Sequence, residues 1–210
     1  MDRMLDIKRT IVNDYKNKLW DPFLKALSDY NLFKENDIIN VIIDGTNSSF
    51  LLAKLLEIYK NEFKFDLHIL AYNLEEIKSN LEILNIKAEF ISFEYELDDN
   101  LIYAFHDNFD DVIENTLTSI LFKGKYETII PKENNIIRPL YLIKYKDIKA
   151  WERKNELTFI KKHIPKEQMK IKEIIRELLE YNDSVENNIL SSIESVNKLL
   201  GLIKDKKESL

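Results

Sequence analysis

The stretch IINVIIDGTNSSFLLAKLLEIYK, residues 38–60, decides the fold. Its first part is an apolar run, which is typical of a strand covered on both faces of a parallel sheet. Its last part carries apolar residues at helical spacing. The polar turn GTNSS lies between them, and its Gly45 permits a backbone conformation that other residues resist. Either Ser48 or Ser49 is expected to cap the helix that follows.

This turn is a candidate for phosphate binding. A helix that begins at the carboxyl end of a parallel strand directs its free N–H groups and positive dipole end toward an anion site, and open α/β sheets hold ligands at that edge. The turn has no lysine, however, and Asp44 places a negative charge where an anion would lie. An ordinary capped connection between strand and helix is therefore the alternative.

The rest of the chain alternates between strand and helix patterns. Helices are predicted near residues 2–27, 74–84, 109–121, 146–154, 166–181 and 184–202, and extended segments near 66–72, 87–93, 101–105 and 135–140. Such alternation predicts an α/β fold with a doubly wound, mostly parallel sheet and right-handed crossovers. We expect an α/β domain over residues 1–165 and a helical extension over residues 166–210.

Composition limits the available chemistry. The 210 residues include no cysteine, which excludes disulfides, thiolate zinc sites, cysteine-bound iron–sulfur clusters and cysteine nucleophiles. The three histidines lie far apart and show no metal-ligand spacing, so no metal site is predicted. No apolar run has transmembrane length and the N-terminus does not look like a secretory leader, so we expect a cytoplasmic protein without a membrane partner.

Charge is unevenly distributed along the chain. Residues 121–176 carry 15 Lys+Arg against 7 Asp+Glu, although the whole chain has a net charge of −6. Such a basic block predicts an interaction with RNA or another polyanion, through lysines such as Lys161, Lys162 and Lys166. A set of solvated, lysine-rich helix faces is the alternative.

Two segments carry a resemblance to a known family. ALSDYNLFKENDIINVIIDGTNSSFLLAKLL, residues 26–56, resembles the start of the PP-loop ATP pyrophosphatase domain, most closely that of tRNA 2-thiocytidine synthetases. The S-G-G-K-D-S loop of that family corresponds to residues 44–49. Further along, DNFDDVIENTLTSILFKGKYETIIP, residues 107–131, resembles the family's helix with an Asp-Asp-x-x-Glu pattern, which Asp110, Asp111 and Glu114 match.

A third segment, IIRPLYLIKYKDI at residues 136–148, is similar to the I-R-P-L segment of the same family. The resemblance implies a domain that binds ATP with Mg²⁺ and adenylates a tRNA base before sulfur is installed. It implies that Asp110, Asp111 and Glu114 are catalytic residues at the mouth of the site. The nucleotide-binding residues implied by the resemblance are Asp44, Gly45, Thr46, Asn47, Ser48, Ser49, Ala71, Asn73 and Arg138, the last near the nucleotide or the sheet edge.

The chain departs from the family pattern at functional positions. Asn47 replaces the loop lysine, Ser48 replaces the loop aspartate and Asp44 replaces the first serine. The family's Cys-x-x-Cys insertion is absent between residues 93 and 101, and its second cysteine pair is absent after Phe159. We therefore expect a degenerate protein, a nucleotide-binding or non-catalytic module of tRNA modification that has lost sulfur transfer. ATP with Mg²⁺ is the cofactor left open, and no iron–sulfur cluster is expected.

Two other functions fit the same residues. One is an ATP-dependent enzyme of altered chemistry, whose rebuilt Mg²⁺ site uses Asp44, Asp110, Asp111 and Glu114. The other is a dimerising adaptor without a ligand. The partners expected are tRNA and either a second copy of this chain or an active paralogue. For Asp110 and Asp111, capping of a helix N-terminus is the alternative to a catalytic role.

Overall fold

The computed structural model describes residues 3–161 and 163–203. The helices, in chain order, are α1 (Arg3–Arg9), α2 (Asp21–Asp29), α3 (Asn47–Tyr59), α4 (Glu75–Leu84), α5 (Phe109–Thr118), α6 (Tyr145–Lys154), α7 (Lys166–Leu179) and α8 (Val185–Leu199). The strands are β1 (Ile38–Ile43), β2 (Asp66–Tyr72), β3 (Glu89–Ile91), β4 (Ile102–Ala104), β5 (Lys132–Glu133) and β6 (Ile136–Ile137). Wider π-helical turns occupy Thr10–Asp14, Lys16–Trp20 and Ser119–Lys123.

The strands form one sheet in the order β3-β2-β1-β4-β6-β5. Every neighbouring pair is parallel except β5 and β6, which form an antiparallel pair at one edge. The predicted doubly wound, mostly parallel α/β sheet is therefore confirmed. The winding reverses between β1 and β4, and an open sheet of this kind holds its ligands outside the carboxyl ends of the strands at that point.

The central strand and its helix are buried as the sequence predicts. Ile39, Val41 and Ile43 of β1 have no exposed surface, because helices cover both faces of the sheet. Helix α3 is also buried on nearly all sides, including its first residue, Asn47. Burial of this kind fixes the N-terminal end of α3 at the carboxyl edge of the sheet.

A second hydrophobic core lies under the C-terminal helices. It consists of Phe109, Val112, Ile113, Tyr141, Ile171, Ile175, Leu190 and Ile193. Helices α7 and α8 pack against α5 and against each other. The segment between α6 and α7, described at residues 155–161 and 163–165, reaches the carboxyl edge of the sheet, where Ile160 hydrogen-bonds to Gly45. The division of the chain at residue 165 stays a prediction.

The N-terminal helix differs from the prediction. A single helix was expected near residues 2–27, but Tyr15, with φ −111° and ψ 24°, separates two π-helical turns between α1 and α2. Residue 2 itself lies outside the described residues. Among the helices within residues 3–161 and 163–203, none is both long and apolar enough to cross a membrane.

Candidate functional site

The turn after β1 has the backbone that its glycine predicts, but a different cap. Gly45 has a φ of +96°, in the region that favours glycine. The cap of α3 is Thr46, whose side-chain oxygen accepts a hydrogen bond of 3.4 Å from the N–H of Ser49. The expectation that Ser48 or Ser49 caps the helix is wrong, because the helix already begins at Asn47 and both serines lie inside its first turn.

Asp44 is bound to the same turn through its side chain. One carboxylate oxygen accepts hydrogen bonds from the N–H of Thr46 at 3.0 Å and from its hydroxyl at 2.7 Å. The other oxygen lies 3.1 Å from Nε2 of His106. Burial opposes ionisation of Asp44, but the contacts with His106 and Thr46 outweigh it and hold the pKa of the carboxyl well below its usual range. A main-chain N–H of the turn is thus already bound to an internal anion.

The segment between α6 and α7 covers the turn. The N–H of Ile160 donates a 2.9 Å hydrogen bond to the carbonyl oxygen of Gly45. A Cβ atom added at Gly45 would overlap Cδ1 of Ile160 and lie 3.0 Å from its Cγ1. The ring of Phe159 packs 5.1 Å from that of Phe50, and the amide of Asn80 donates to the carbonyl oxygen of Thr158 at 2.9 Å. Sequence reasoning missed this contact, and its only local signal is an apolar pair in a polar segment.

Asn47 stands where the resembled family has a lysine, and its amide does not face open solvent. Its Nδ2 donates to Oε2 of Glu152 at 2.7 Å. The other oxygen of Glu152 accepts from Nζ of Lys149 at 2.5 Å. The carboxylate of Glu152, on α6, therefore lies beside the N-terminus of α3, where the resembled family has the cation of its loop lysine.

Two of the predicted catalytic carboxylates stabilise helix ends. Asp111 and Asn108 form a capping box at the start of α5, in which each side chain accepts from the main-chain N–H of the other. Asp110 accepts a 2.7 Å hydrogen bond from the N–H of Tyr145, the first residue of α6. Burial raises the pKa of Asp110. This geometry matches the capping alternative, and a catalytic role stays a prediction.

Glu114 is the most buried of the three carboxylates, with 5% of its surface exposed. Its oxygens lie 3.2 Å from Nζ of Lys172 and 2.8 Å from Nε2 of Gln168, both on α7. Burial raises the pKa of Glu114 to about 7, and Lys172 only partly opposes this rise. The side chain therefore changes its charge close to neutral pH.

A cavity of about 340 Å³ connects the turn with α5 and α7. It is lined by Thr46, Asn47, Ser48, His106, Asn108, Asp110, Asp111, Glu114, Tyr145, Lys149, Glu152, Thr158, Phe159, Ile160, Lys161, Ile164, Gln168 and Lys172. Of the six predicted turn residues, Thr46, Asn47 and Ser48 line this cavity together with Asp110, Asp111 and Glu114, whereas Asp44, Gly45 and Ser49 do not. A second cavity of about 220 Å³ adjoins the first and shares Asp110, Glu114 and Lys172 with it.

The other predicted binding residues lie elsewhere. Ala71 is buried in β2, opposite Ile43, and neither it nor Asn73 lines the cavity. The guanidinium of Arg138 is buried beside the β5–β6 pair, where its Nε donates to Asp107 at 3.1 Å and another nitrogen donates to the carbonyl oxygen of Ile130 at 2.7 Å. Arg138 therefore lies at the sheet edge, the second of its two expected positions.

The four carboxylates of the alternative Mg²⁺ site do not converge. In the part of the chain that the structure describes, no group of three or more His, Cys, Asp or Glu side chains is arranged to hold a metal ion. Asp44 is bound to Thr46 and His106, whereas Asp110 and Asp111 are bound to main-chain N–H groups.

Comparison with known proteins gives relatives along most of the chain, although no protein-family model matches it. The chain is 23% identical to tRNA-cytidine(32) 2-sulfurtransferase 1 of Francisella philomiragia, over 92% of this chain and 94% of that protein. It is 22% identical to tRNA-cytidine(32) 2-sulfurtransferase 2 of Francisella tularensis, over 86% of this chain and 92% of that protein. This chain is similar to tRNA-cytidine(32) 2-sulfurtransferases along most of its length. The resemblance found in the sequence is thereby confirmed.

A solved structure shows the same fold. The U34-tRNA thiolase NcsA from Methanococcus maripaludis with its [4Fe-4S] cluster matches with a TM-score of 0.65 at 16% identity, over 85% of this chain and 78% of that chain. At this identity the match shows the fold alone. It agrees with the Rossmann-like, PP-loop architecture that the resemblance implied.

The comparisons correct the expectation about cofactors. ATP with Mg²⁺ was left open and an iron–sulfur cluster was excluded, but the solved thiolase carries a [4Fe-4S] cluster and nothing in the comparisons shows ATP or Mg²⁺. The expectation is therefore wrong as a statement about this group of proteins. The present chain has no cysteine, so its residues do not fit a thiolate-bound cluster of that kind.

Proposed function

We propose that this protein is a non-catalytic module of tRNA modification, which binds tRNA and does not transfer sulfur. The relation to tRNA-cytidine(32) 2-sulfurtransferases supports the connection with tRNA, because the alignment covers nearly the whole of both chains. The changes around the turn after β1 support the loss of catalysis.

The contact of Asp44 and Ile160 with the turn is the observation that carries the proposal. The Asp44 carboxylate binds the N–H of Thr46, and the side chain of Ile160 lies against Gly45. A phosphate at this position would have to displace the carboxylate or accept its repulsion, and it would also have to displace Ile160. Removing a single preorganised donor from a charge-stabilising site typically costs on the order of 10²–10³ in rate.

The absence of sulfur chemistry has a separate basis. The chain contains no cysteine, so no side chain can carry a persulfide or hold a cluster through thiolates. The residues expected at the second cysteine pair are those of the segment that covers the turn, with Phe159 packed against Phe50. In this protein the segment packs on the sheet edge instead.

The surface proposed to contact tRNA lies next to the cavity. Lys161 lines the cavity and is exposed, and Lys166 and Lys170 are exposed on the first turns of α7. Lys162, which the sequence also suggested, lies outside the described residues. Neutralisation of tRNA phosphates by these ammonium groups would give a salt-dependent affinity.

Mass spectrometry of tRNA tests the proposal. The chain is produced in bacteria that lack their own tRNA-cytidine(32) 2-sulfurtransferase, and 2-thiocytidine is measured in the tRNA. The F. philomiragia relative serves as the positive control. We expect no 2-thiocytidine with this chain, together with tRNA retention by the purified protein in filter binding. Restored 2-thiocytidine would overturn the non-catalytic assignment, and the absence of tRNA retention would overturn the association with tRNA.

One observation favours a second candidate, a dimerising adaptor. Ile120, Leu121 and Phe122 are three consecutive apolar residues that are all about half exposed. Such a patch is typical of a contact with another chain. Light scattering of the unmodified protein and of Leu121→Asp tests this candidate: a dimer that becomes a monomer on substitution supports it, and a monomer in both samples rejects it.

A further inference from the structure

The cavity beside the turn has features of a binding site for a small molecule. Its volume of about 340 Å³ lies within the range of small-molecule pockets. Five parts of the chain enclose it: the turn with the start of α3, α5 with the residues just before it, α6, the segment between α6 and α7, and α7 itself. All five carry residues that belong to or pack against one of the two hydrophobic cores, so the cavity is formed by packed elements.

Two polar groups in the wall have no protein partner. The hydroxyl of Ser48 forms no hydrogen bond within residues 3–161 and 163–203. The amide nitrogen of Asn108 likewise has no acceptor in that part of the chain, although its oxygen caps α5. Neither atom is fully enclosed by protein, so both are open to the cavity and available to a molecule in it.

The charged groups of the wall favour a cation over an anion. Among the described residues, four carboxylates and three lysines line the cavity, which leaves one excess negative charge when all are ionised: Asp110, Asp111, Glu114 and Glu152 against Lys149, Lys161 and Lys172. Lys172 and Lys149 are paired with Glu114 and Glu152, so an incoming anion would compete with these carboxylates. Each carboxylate can accept about four hydrogen bonds. Within the described structure, Glu152 accepts two hydrogen bonds, and Glu114 accepts one and forms an ion pair with Lys172. Free acceptor positions therefore remain on two carboxylates that are mostly removed from water.

The opposite side of the cavity is apolar. Phe159, Ile160 and Ile164 line it together with the ring of Tyr145. Nζ of Lys172 lies 5.8 Å from the centroid of the Tyr145 ring, which shows that a cation is already accommodated over this ring. An apolar or aromatic body could contact these side chains while a polar head faces the carboxylates.

We propose that this cavity binds a small molecule with an apolar body and a cationic hydrogen-bond donor, such as an amidinium or a primary ammonium group. The cationic head contacts Glu114 and Glu152, and the apolar body packs against Phe159 and Ile160. Ser48 and Asn108 supply the remaining hydrogen bonds. The inference concerns a ligand of the cavity and does not depend on tRNA binding.

Three probes of the same shape and different charge test the proposal. Benzamidine is a cation, benzamide is neutral and benzoate is an anion. Their affinities for the unmodified chain are measured without tRNA by calorimetry and ligand-observed NMR, at about pH 8.5, which lies above the pKa of about 7 of Glu114 and keeps this carboxylate ionised. We expect saturable binding of benzamidine that is at least about tenfold tighter than that of benzoate, which corresponds to about 1.4 kcal/mol. Tighter or equal binding of benzoate would overturn the proposal, as would no saturable binding of benzamidine at millimolar concentration.

The position of binding is measured separately. In a sample labelled at the isoleucine δ1 methyl groups, benzamidine should shift the signals of Ile160 and Ile164, which line the cavity. The signal of Ile38, at the amino end of β1 and so at the opposite edge of the sheet, should not move. Shifts that leave Ile160 and Ile164 unchanged would place the probe outside the cavity and overturn the proposal.

The role of Glu114 is tested by Glu114→Gln, which removes the charge and keeps the shape. We expect the affinity for benzamidine to fall by about tenfold and the affinity for benzamide to stay unchanged. The matched control is Glu173→Gln on the exposed face of α7, which should alter neither affinity. An unchanged benzamidine affinity in Glu114→Gln would overturn the assignment. If this variant does not fold, the probe comparison on the unmodified chain still decides.

Discussion

The main-chain N–H of Ile160 donates a 2.9 Å hydrogen bond to the carbonyl oxygen of Gly45. This bond joins the segment between α6 and α7 to the turn after β1, and the side chain of Ile160 occupies the space next to the glycine. The turn that anion-binding α/β proteins leave open is thus covered by the protein's own chain. The proposed loss of catalysis rests in part on this contact, and the first prediction tests it.

Gly45→Ala should destabilise the protein by about 2–4 kcal/mol, because alanine resists positive φ and its Cβ would overlap Ile160. Gly124→Ala is the matched control, since Gly124 also has positive φ (+63°) but has no atom near the added Cβ. It should lose only about 1 kcal/mol. Urea denaturation measures both. Gly45→Ala should cost less stability when it is introduced into the Ile160→Ala variant, because alanine at position 160 lacks the Cδ1 and Cγ1 atoms that the added Cβ would meet. Equal losses of stability in Gly45→Ala and Gly124→Ala would contradict the contact.

Asp44→Asn should cost about 1 kcal/mol at neutral pH, a modest value because about a third of the side chain is exposed to screening solvent. The pKa of Asp44 is lower in the folded than in the unfolded protein. The ionised carboxylate therefore contributes to the free energy of unfolding above the ordinary pKa of 3.8, and this contribution is lost as the pH falls below that value. Urea denaturation at several pH values should therefore show a difference that shrinks below about pH 4. The exposed Asp183→Asn variant should match the unmodified chain throughout, and a difference that does not depend on pH would exclude the ionised contact.

Glu114→Gln should change how stability depends on pH. Burial raises the pKa of Glu114 from 4.5 to about 7, so the folded state prefers the protonated form, despite the nearby Lys172, and loses stability as the pH rises through this interval. The variant lacks this loss, which is at most about 3 kcal/mol for the unmodified chain. Relative to the unmodified chain, its free energy of unfolding should rise between about pH 5 and about pH 8. For the exposed Glu173→Gln variant, the difference in the free energy of unfolding from the unmodified chain should not change with pH in this range. A difference that does not change with pH for Glu114→Gln would show that the carboxylate of Glu114 is ionised throughout.

The fold was predictable from the sequence because its signals are local. The apolar run of β1 and the helical spacing of α3 each reflect burial on both sides, and both elements form in the predicted order, although α3 begins at Asn47, inside the stretch that was expected to be the turn. The cap was misassigned because Thr46, Ser48 and Ser49 have similar capping chemistry, and only the backbone dihedrals of Thr46 decide among them. The interrupted N-terminal helix was missed because its apolar spacing is compatible with both α and π turns.

The site was predictable in part. The turn and the Asp-Asp-x-x-Glu residues meet at one cavity because both begin helices at the carboxyl edge of the same sheet. Pairing of Glu114 with Lys172 and covering of Gly45 by Ile160 depend instead on how distant segments pack. No local pattern encodes either contact. For Arg138 the sequence left two positions open, one near the nucleotide and one at the sheet edge. Its hydrogen bonds to Asp107 and to the carbonyl oxygen of Ile130 hold it at the sheet edge, and these contacts are not visible in the sequence.

Binding of tRNA should weaken with salt, and the salt dependence should decrease when Lys161 and Lys166 are replaced by alanine. Each phosphate contact that is lost should reduce the slope of log affinity against log salt by about 0.7–0.9. Fluorescence anisotropy between about 50 and about 300 mM salt measures this slope. Lys25→Ala, an exposed lysine of α2 in the acidic part of the chain, is the control and should leave it unchanged. A slope that is the same in all variants would place the tRNA contact elsewhere.

A single ion pair, between Glu114 and Lys172, lies in the wall that the two cavities share. Truncation of Lys172 to alanine would remove an ammonium group from the lining of both cavities at once and leave Glu114 with Gln168 as its remaining partner on α7. A change at this one side chain would thus alter the shape and the charge of two neighbouring cavities together.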